Sequence, residues 1–358
     1  MTMAAPVGAL MDGAGPAHRP YTVLAMSRQA HSALCAEQAF DRLREVARVD
    51  TALLFDEGAP DPADQADPAV TAALARAEVL FTHWGCPPLT EERLRHMPRL
   101  RAVVHAAGSV KHHITEAVWQ RGITVSSAAA ANALPVAEYT LAAILFANKR
   151  VLQAAQLYRA GRAEPQLLPF YAGHGNHGRT VGIVGASRTG RRVIELLRPF
   201  DLQVIVQDPF LTREDAQELG VKAVALDELV RRSHVVSIHA PQLPETWRMF
   251  DRRRLALLRD GATLINTARG SLIDTAALTA ELVSGRIHAV LDVTDPEVLP
   301  ADSPLYDLPN VLLTPHIAGS LGGELGRMAH EAAEELGRYA QGLAFEYAVV
   351  REDLGRSA

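Results

Sequence analysis

Three short segments in the last third of the chain carry side chains suited to holding an anion and moving a proton. They are Asn266-Thr267-Ala268-Arg269-Gly270-Ser271, Asp292-Val293-Thr294-Asp295-Pro296-Glu297 and Leu313-Thr314-Pro315-His316-Ile317-Ala318-Gly319. A planar guanidinium such as that of Arg269 forks onto a carboxylate and polarises an adjacent carbonyl. An imidazole such as that of His316 can hand a proton to a developing alkoxide, with the Glu297 carboxylate holding the ring and stabilising its cationic form. Together the three suit a 2-oxo acid reduced beside a nicotinamide, and the same proton runs backwards in oxidation. Asp295, two residues from Glu297, is the alternative carboxylate.

Residues 180–208 supply a place for the nicotinamide's carrier. The apolar run Val181 to Val184 enters Gly185, and Val193, Leu196, Leu197 and Phe200 recur at the spacing of an amphipathic helix. Leu202 to Val206 reads as the next strand, closed by Asp208. A glycine turn at a helix start leaves amide N–H groups unpaired, and the helix dipole adds partial positive charge, so a pyrophosphate settles there. An acid about 20 residues on accepts from the adenosine ribose hydroxyls and repels a 2′-phosphate, which favours NAD over NADP. The expected pattern Gly-x-Gly-x-x-Gly reads Gly185-Ala186-Ser187-Arg188-Thr189-Gly190, with Ser187 in place of the middle glycine. Its added Cβ and hydroxyl predict a slightly displaced pyrophosphate.

Strand-like runs position these segments: 180–185, 202–208, 221–225, 234–240, 262–268, 287–293 and 311–316, each followed by a helical pattern. The first half repeats the theme with 21–27, 51–55, 78–82, 101–106 and 123–127, separated by helical stretches near 33–45, 68–76, 90–96 and 115–121. Such alternation predicts two α/β units with parallel sheets covered on both faces. Between them Pro135 to Arg159 reads as one long helix with Pro135 in its first turn. Residues 160–179 read as a loop, and a last amphipathic helix spans about 322–341 with Leu325, Met328, Ala332 and Leu336 on one face.

The 358 residues, 48% hydrophobic, are enough for two cores. The net charge of −5 is not blocked into runs, which argues against nucleic acid or an anionic membrane surface as the main partner. No uninterrupted apolar stretch reaches the roughly 18 residues of a membrane span. Residues 1–20 lack the basic start and apolar middle of a signal peptide and read as a loose tail. Cys35 and Cys86 fit a reducing cytoplasm and two ordinary buried thiols better than a disulfide framework. His174 and His177 have the spacing of a metal pair, but no acid or cysteine stands close, so solvated loop histidines and no metal are expected. Lys111-His112-His113 reads either as a solvated helix start or as a contact for a second anionic group on a substrate.

With these residues in view, the chain resembles the D-isomer-specific 2-hydroxyacid dehydrogenase family over about residues 75–345. The resemblance rests on Val136-Ala137-Glu138, the glycine turn, Asp208, His239-Ala240-Pro241, the 266–274 run, the 292–300 run and Pro315-His316-Ile317-Ala318-Gly319. It implies Arg269, Glu297 and His316 as the catalytic trio. It also implies Arg188, Asp208, Pro241, Thr267 and Asp292 as cofactor contacts beside Gly185, Ser187, Thr189 and Gly190, with Asp292 toward the nicotinamide carboxamide. The fold it implies has two Rossmann-like or flavodoxin-like domains with the active site in the cleft between them. The substrate-binding domain would be discontinuous, 21–134 plus 317–358, and the NAD-binding domain 135–316. The family's long interdomain helix usually sits in a homodimer interface. Amides of the loop Gly108-Ser109-Val110, usually Gly-Val-Gly, would receive the substrate carboxylate, and Val298 stands where a proline is usual. The implied activity is NAD-dependent interconversion of a D-2-hydroxy acid and its 2-oxo acid. The alternatives are a phosphite-type dehydrogenase of the same family and a non-catalytic NAD-sensing scaffold.

Overall fold

The computed structural model describes residues 18–36, 38–55, 67–164 and 166–355, so the expected tail lies, up to residue 17, outside the described residues. The chain divides into two compact units. The first takes its residues from Met1–Ala106, His112–Ser126 and Ala329–Ala348; the second from Ala107–Lys111, Ser127–Met328 and Val349–Ala358.

In the first unit the strands are β1 (Tyr21–Ser27), β2 (Arg48–Phe55), β3 (Val79–Thr82), β4 (Ala102–His105) and β5 (Thr124–Ser127), ordered β2-β1-β3-β4-β5. β1 pairs in parallel with β2 and β3, and β3 with β4. Every residue of β3 and β4 is buried, as expected when helices cover both faces of a parallel sheet. The stretch read as one helix near 33–45 is two, Arg28–Ala36 and Phe40–Val46.

The second unit holds seven strands: β6 (Arg179–Val184), β7 (Leu202–Gln207), β8 (Lys222–Ala223), β9 (Val235–Ile238), β10 (Thr263–Asn266), β11 (His288–Leu291) and β12 (Val311–Leu313). Their order, β12-β11-β10-β9-β6-β7-β8, reverses direction between β6 and β9. Ligands of open α/β sheets bind outside the carboxyl ends of the strands at such a switch point. Alternation along each strand divides the core into two layers. Val236, Leu264, Ala289 and Leu291 face one hydrophobic cluster, while Val235, Ile265 and Val290 face the other, with Val193, Ile194 and Leu197.

The helix expected from Pro135 begins earlier, at Ala129, and ends at Asn148, so Pro135 lies in its interior. The alanine-rich residues before it extend the helix N-terminally, and burial of Ala131, Ala133 and Ala137 holds them there. Arg150, in the left-handed region at φ 49°, then breaks the run before a separate helix, Val151–Gly161, none of whose residues is buried. Helix Ala129–Asn148 is long and apolar enough to cross a membrane by length and composition, although no stretch of the sequence was expected to be. It packs on helix Arg188–Leu197, buries Ala137 and Ile144 in the second cluster and leaves Glu138 exposed, as a core helix does. In helix Glu324–Ala340 the expected face, Leu325, Met328, Ala332 and Leu336, is buried.

Candidate active site and nucleotide turn

β6 delivers Gly185 to the switch point at φ 95°, and a Cβ there would stand 2.7 Å from the Ala240 amide nitrogen, so only glycine fits. Gly190 is equally confined, since its Cβ would meet the Gly185 carbonyl oxygen at 2.0 Å. Ser187, in place of the middle glycine, is the N-cap of helix Arg188–Leu197 and accepts from the Gly190 N–H at 3.3 Å. The amides of Ser187, Arg188 and Thr189 have no protein partner among the described residues, which leaves a ready anion site at the helix start. Arg191 is committed to Asp215 at 3.1 Å, whereas Arg188 is exposed and in no ion pair among the described residues. Asp208 ties this turn to the end of β7. One carboxylate oxygen accepts from the Ala186 N–H and the other from the Phe210 N–H, both at 2.7 Å, and each oxygen keeps a lone pair for a ribose hydroxyl.

β10, β11 and β12 end at the three reactive segments, and internal hydrogen bonds shape each loop. Asn266, last in β10, donates from Nδ2 to the Arg269 carbonyl at 2.8 Å and accepts from the Ala268 N–H at 3.1 Å, which fixes the turn that presents Arg269. Gly270 presses on the next loop so closely that a Cβ would lie 1.9 Å from the Thr294 carbonyl oxygen. In that loop the Thr294 hydroxyl donates to the carbonyls of Pro296 and Glu297, and Glu297 accepts from His316 Nδ1 at 2.6 Å. Arg269 donates to its neighbour's carbonyl, Ala268 O, at 2.6 Å. Burial pushes its pKa down, and the nearby Glu297 carboxylate works against that shift. Glu297 therefore stands beside both Arg269 and His316. Asp295 does not compete for the role, since no side-chain bond joins it to His316 or Arg269.

His316 adopts φ 55°, a left-handed conformation that is tolerated by histidine and held here by its N–H donating to the carbonyls of Asp292 and Thr314. With Nδ1 on the carboxylate, Nε2 is left without a protein partner among the described residues.

The structure gives Asp292 a role the sequence reading missed. Its buried carboxylate accepts from the Thr314 hydroxyl at 2.7 Å, the Ile317 N–H at 2.8 Å and the Ala318 N–H at 2.9 Å, pinning the loop that carries His316. Thr314 in turn bonds the Tyr139 hydroxyl at 2.8 Å, and Thr140 bonds Thr267 at 3.1 Å, so the long helix braces both loops. Thr267 is accordingly buried with its hydroxyl engaged, while Pro241 is half-buried after β9. Asn132, also absent from the sequence reading, accepts from the Ser320 N–H at 2.9 Å, and its amide lies 3.1 Å from where a Gly108 Cβ would stand. Gly108, Ser109 and Val110 pack with the second unit, and their amides make no protein hydrogen bond among the described residues. Lys111 beside them donates to the Gln242 carbonyl at 3.4 Å, and burial together with the charge of Arg269 lowers its pKa. His113 is not solvated as the helix-start reading required. It is buried in the first unit within reach of Thr82 and against His105, with ring centroids 4.4 Å apart.

Residues 141–318 match the family model described as D-isomer specific 2-hydroxyacid dehydrogenase, NAD binding domain. A glyoxylate reductase of Korarchaeum cryptofilum is 34% identical over 258 residues, 71% of this chain and 77% of that protein. The chain belongs to the D-isomer specific 2-hydroxyacid dehydrogenase family. A D-3-phosphoglycerate dehydrogenase of Archaeoglobus fulgidus is 32% identical over 251 residues, 70% of this chain and 47% of that protein. The chain thus spans about half the length of the phosphoglycerate dehydrogenases it matches. A crystal structure of D-lactate dehydrogenase from Aquifex aeolicus, complexed with NAD and lactic acid, superposes with TM-score 0.68 at 27% identity over 89% of this chain and 96% of that one. The second unit holds the family's NAD-binding domain, and its confined glycines, open amides and Asp208 fit that cofactor.

Proposed function

We propose that this family member interconverts a D-2-hydroxy acid and its 2-oxo acid with NAD, using Arg269, Glu297 and His316. The observation that carries the reading is the Glu297 carboxylate, 2.6 Å from His316 Nδ1 and close enough to Arg269 to bear on its charge. Arg269 receives the substrate carboxylate and polarises the ketone, helped by the open amides of Gly108 and Ser109. His316 gives a proton from Nε2 to the carbonyl oxygen as it becomes a hydroxyl, and takes it back in oxidation. Glu297 keeps the ring oriented. NAD, when bound, supplies or accepts the hydride at substrate C2. Asp208 favours NAD over NADP by repelling a 2′-phosphate. Relatives named glyoxylate reductase and D-lactate dehydrogenase support a small 2-oxo acid as substrate.

In this reading the first unit is the substrate-binding domain. The protein acts in a reducing cytoplasm, where Cys86, buried, and Cys35, exposed and not buried as expected, stay as the free thiols they are here. It works as a homodimer. An apolar groove of about 240 Å³, lined by Tyr139, Ala143, Phe146, Leu152, Val290 and Leu312, supports this, as does helix Val151–Gly161, none of whose residues is fully buried within its own chain.

The test is NADH consumption across glyoxylate, pyruvate, hydroxypyruvate, phenylpyruvate and phosphonate-bearing analogues, with His316→Ala alongside. Replacing the proton donor lowers kcat by about 10²–10⁴-fold while NADH affinity stays within twofold. Equal losses in turnover and NADH binding, or no turnover of any 2-oxo acid by the wild type, would contradict the proposal.

A further inference from the structure

The amino-terminal edge of the second unit's sheet, at the far end of the strands from Gly185 and Arg269, gathers basic side chains from separate parts of the chain. Arg150 stands between the two helices that end at Asn148 and begin at Val151, Arg179 opens β6, and His288 opens β11. His234 immediately precedes β9, Arg259 lies in the turn before β10, and His174 lies in the loop before β6. Hydrogen bonds hold this set in place. The Arg150 guanidinium contacts His288 Nε2 and donates to the Gly261 carbonyl at 3.1 Å, and Gln153 bonds His288 Nδ1 at 3.2 Å. The Thr180 N–H donates to His234 Nδ1 at 3.0 Å, and His174 Nδ1 donates to the Ala172 carbonyl at 3.0 Å.

None of the three arginines forms an ion pair among the described residues. Two acids near this edge have other partners: Asp260 pairs with Arg286 at 3.4 Å and Asp201 with His177 at 3.7 Å. Burial, then the arginines, pushes His234 and His288 down to about 4, and Arg179 is lowered by burial and by Arg150 and Arg259. His174, read from the sequence as a solvated loop residue, belongs to this set; His177, with its side chain 94% exposed, does not. Two residues before Arg150, the side-chain amide of Asn148 is buried and its Nδ2 has no acceptor. Uncompensated guanidinium charge is the arrangement that a multivalent anion turns from repulsive to attractive.

We infer that this edge is a binding site for a small phosphate-class oxyanion, either the free ion or the phosphate of a metabolite, separate from the pyrophosphate position at the glycine turn. Arg150, Arg179 and Arg259 supply the charge, and His234, neutral before the anion arrives and accepting from Thr180 at Nδ1, supplies an N–H donor at Nε2.

The experiment is calorimetric titration of the full chain, saturated with NADH so that the glycine turn is filled, with inorganic phosphate and separately with adenosine monophosphate. Sodium chloride of equal ionic strength is the control. One phosphate-class ion binds per chain with a submillimolar Kd, and Arg179→Gln/Arg259→Gln weakens it at least tenfold without changing NADH affinity. The single variant Arg259→Gln, at an exposed position, weakens it several-fold and guards against misfolding of the pair. Equal affinity for the two ligands identifies the free ion, and preference for the nucleotide identifies an organic phosphate; either supports the site. A response no larger than chloride's, or variants that bind as tightly as the wild type, would overturn it. So would an Arg259→Gln chain that loses self-association in sedimentation while showing no phosphate binding, since the charge would then belong to a second copy.

Discussion

Asp292→Asn is the sharpest test of how the site is held. The wild-type carboxylate accepts three hydrogen bonds, Oδ1 from Thr314 and Ile317 and Oδ2 from Ala318, at 2.7–2.9 Å and with the residue 2% exposed. Asparagine keeps one oxygen for the first two donors and turns an NH2 toward the Ala318 N–H, so two donors face each other in a buried space. Hydrogen bonds to charged acceptors are worth about 1.5–3 kcal/mol each, and leaving a buried donor unsatisfied costs about 1–3 kcal/mol. One such bond is lost and the other two lose their charge, so the second unit is destabilised by about 2–4 kcal/mol. At roughly 2–4 °C per kcal/mol for a domain of this size, its thermal transition falls by about 4–16 °C. The same loop carries His316, whose N–H donates to the Asp292 carbonyl, so turnover falls as well. Differential scanning calorimetry with steady-state NADH oxidation reads both. A variant that melts within a degree of the wild type and keeps its kcat would refute the claim that Asp292 holds the catalytic loop.

Gly270→Ala drives a Cβ to 1.9 Å from the Thr294 carbonyl, an overlap that only backbone movement relieves, so we expect poor expression or loss of more than about 3 kcal/mol in urea unfolding. At Asp208, removal of the acid by Asp208→Ser lifts the repulsion of a 2′-phosphate, and the ratio of NADPH to NADH activity rises at least tenfold; a wild type that already prefers NADPH contradicts the assignment. In the first unit, burial holds His83 at about 4 and His113 at about 3. Between pH 6.5 and those values the unfolded chain takes up protons that the folded one does not. Stability is therefore full above pH 6.5 and falls by about 1.4 kcal/mol per pH unit for each such histidine below it. Denaturation midpoints from pH 7 to 5 track this slope, and His83→Phe flattens it.

Local patterns announced the strands because a parallel sheet covered on both faces demands unbroken apolar runs, and Val79–Thr82 or Val235–Ile238 can be read no other way. The glycine turn was as plain, since strand, turn, amphipathic helix and Asp208 follow within 29 residues, in step with the chain's own order. Helix limits around Pro135 were not, because the decision lies in burial of Ala131 and Ala133 by remote residues, and the break at Arg150 depends on a backbone conformation that residue types barely encode. Long-range braces were the least legible. Nothing near Asn132 in sequence hints that its side chain bonds the Ser320 amide 188 residues away.

Asp292 carries the same lesson into function. From sequence it is a carboxylate at the end of a strand in a chemically rich segment, and a direct contact with a ligand is the natural reading. In the folded chain both its oxygens also accept from the 314–318 loop, and Oδ2, with one such bond, keeps a lone pair for a ligand. Catalytic groups need placement to within about half an ångström, and that is met by residues whose own bonds are satisfied inside the protein. His316 shows why such support is required. Its positive φ and partial exposure would leave the ring free to swing if Glu297 alone held it. Two independent anchors, one on the ring through Glu297 and one on the backbone through Asp292, fix Nε2 instead. Asp292→Asn and Glu297→Gln should therefore give clearly different losses: stability and turnover together for the first, turnover with an unchanged melting temperature for the exposed second pair.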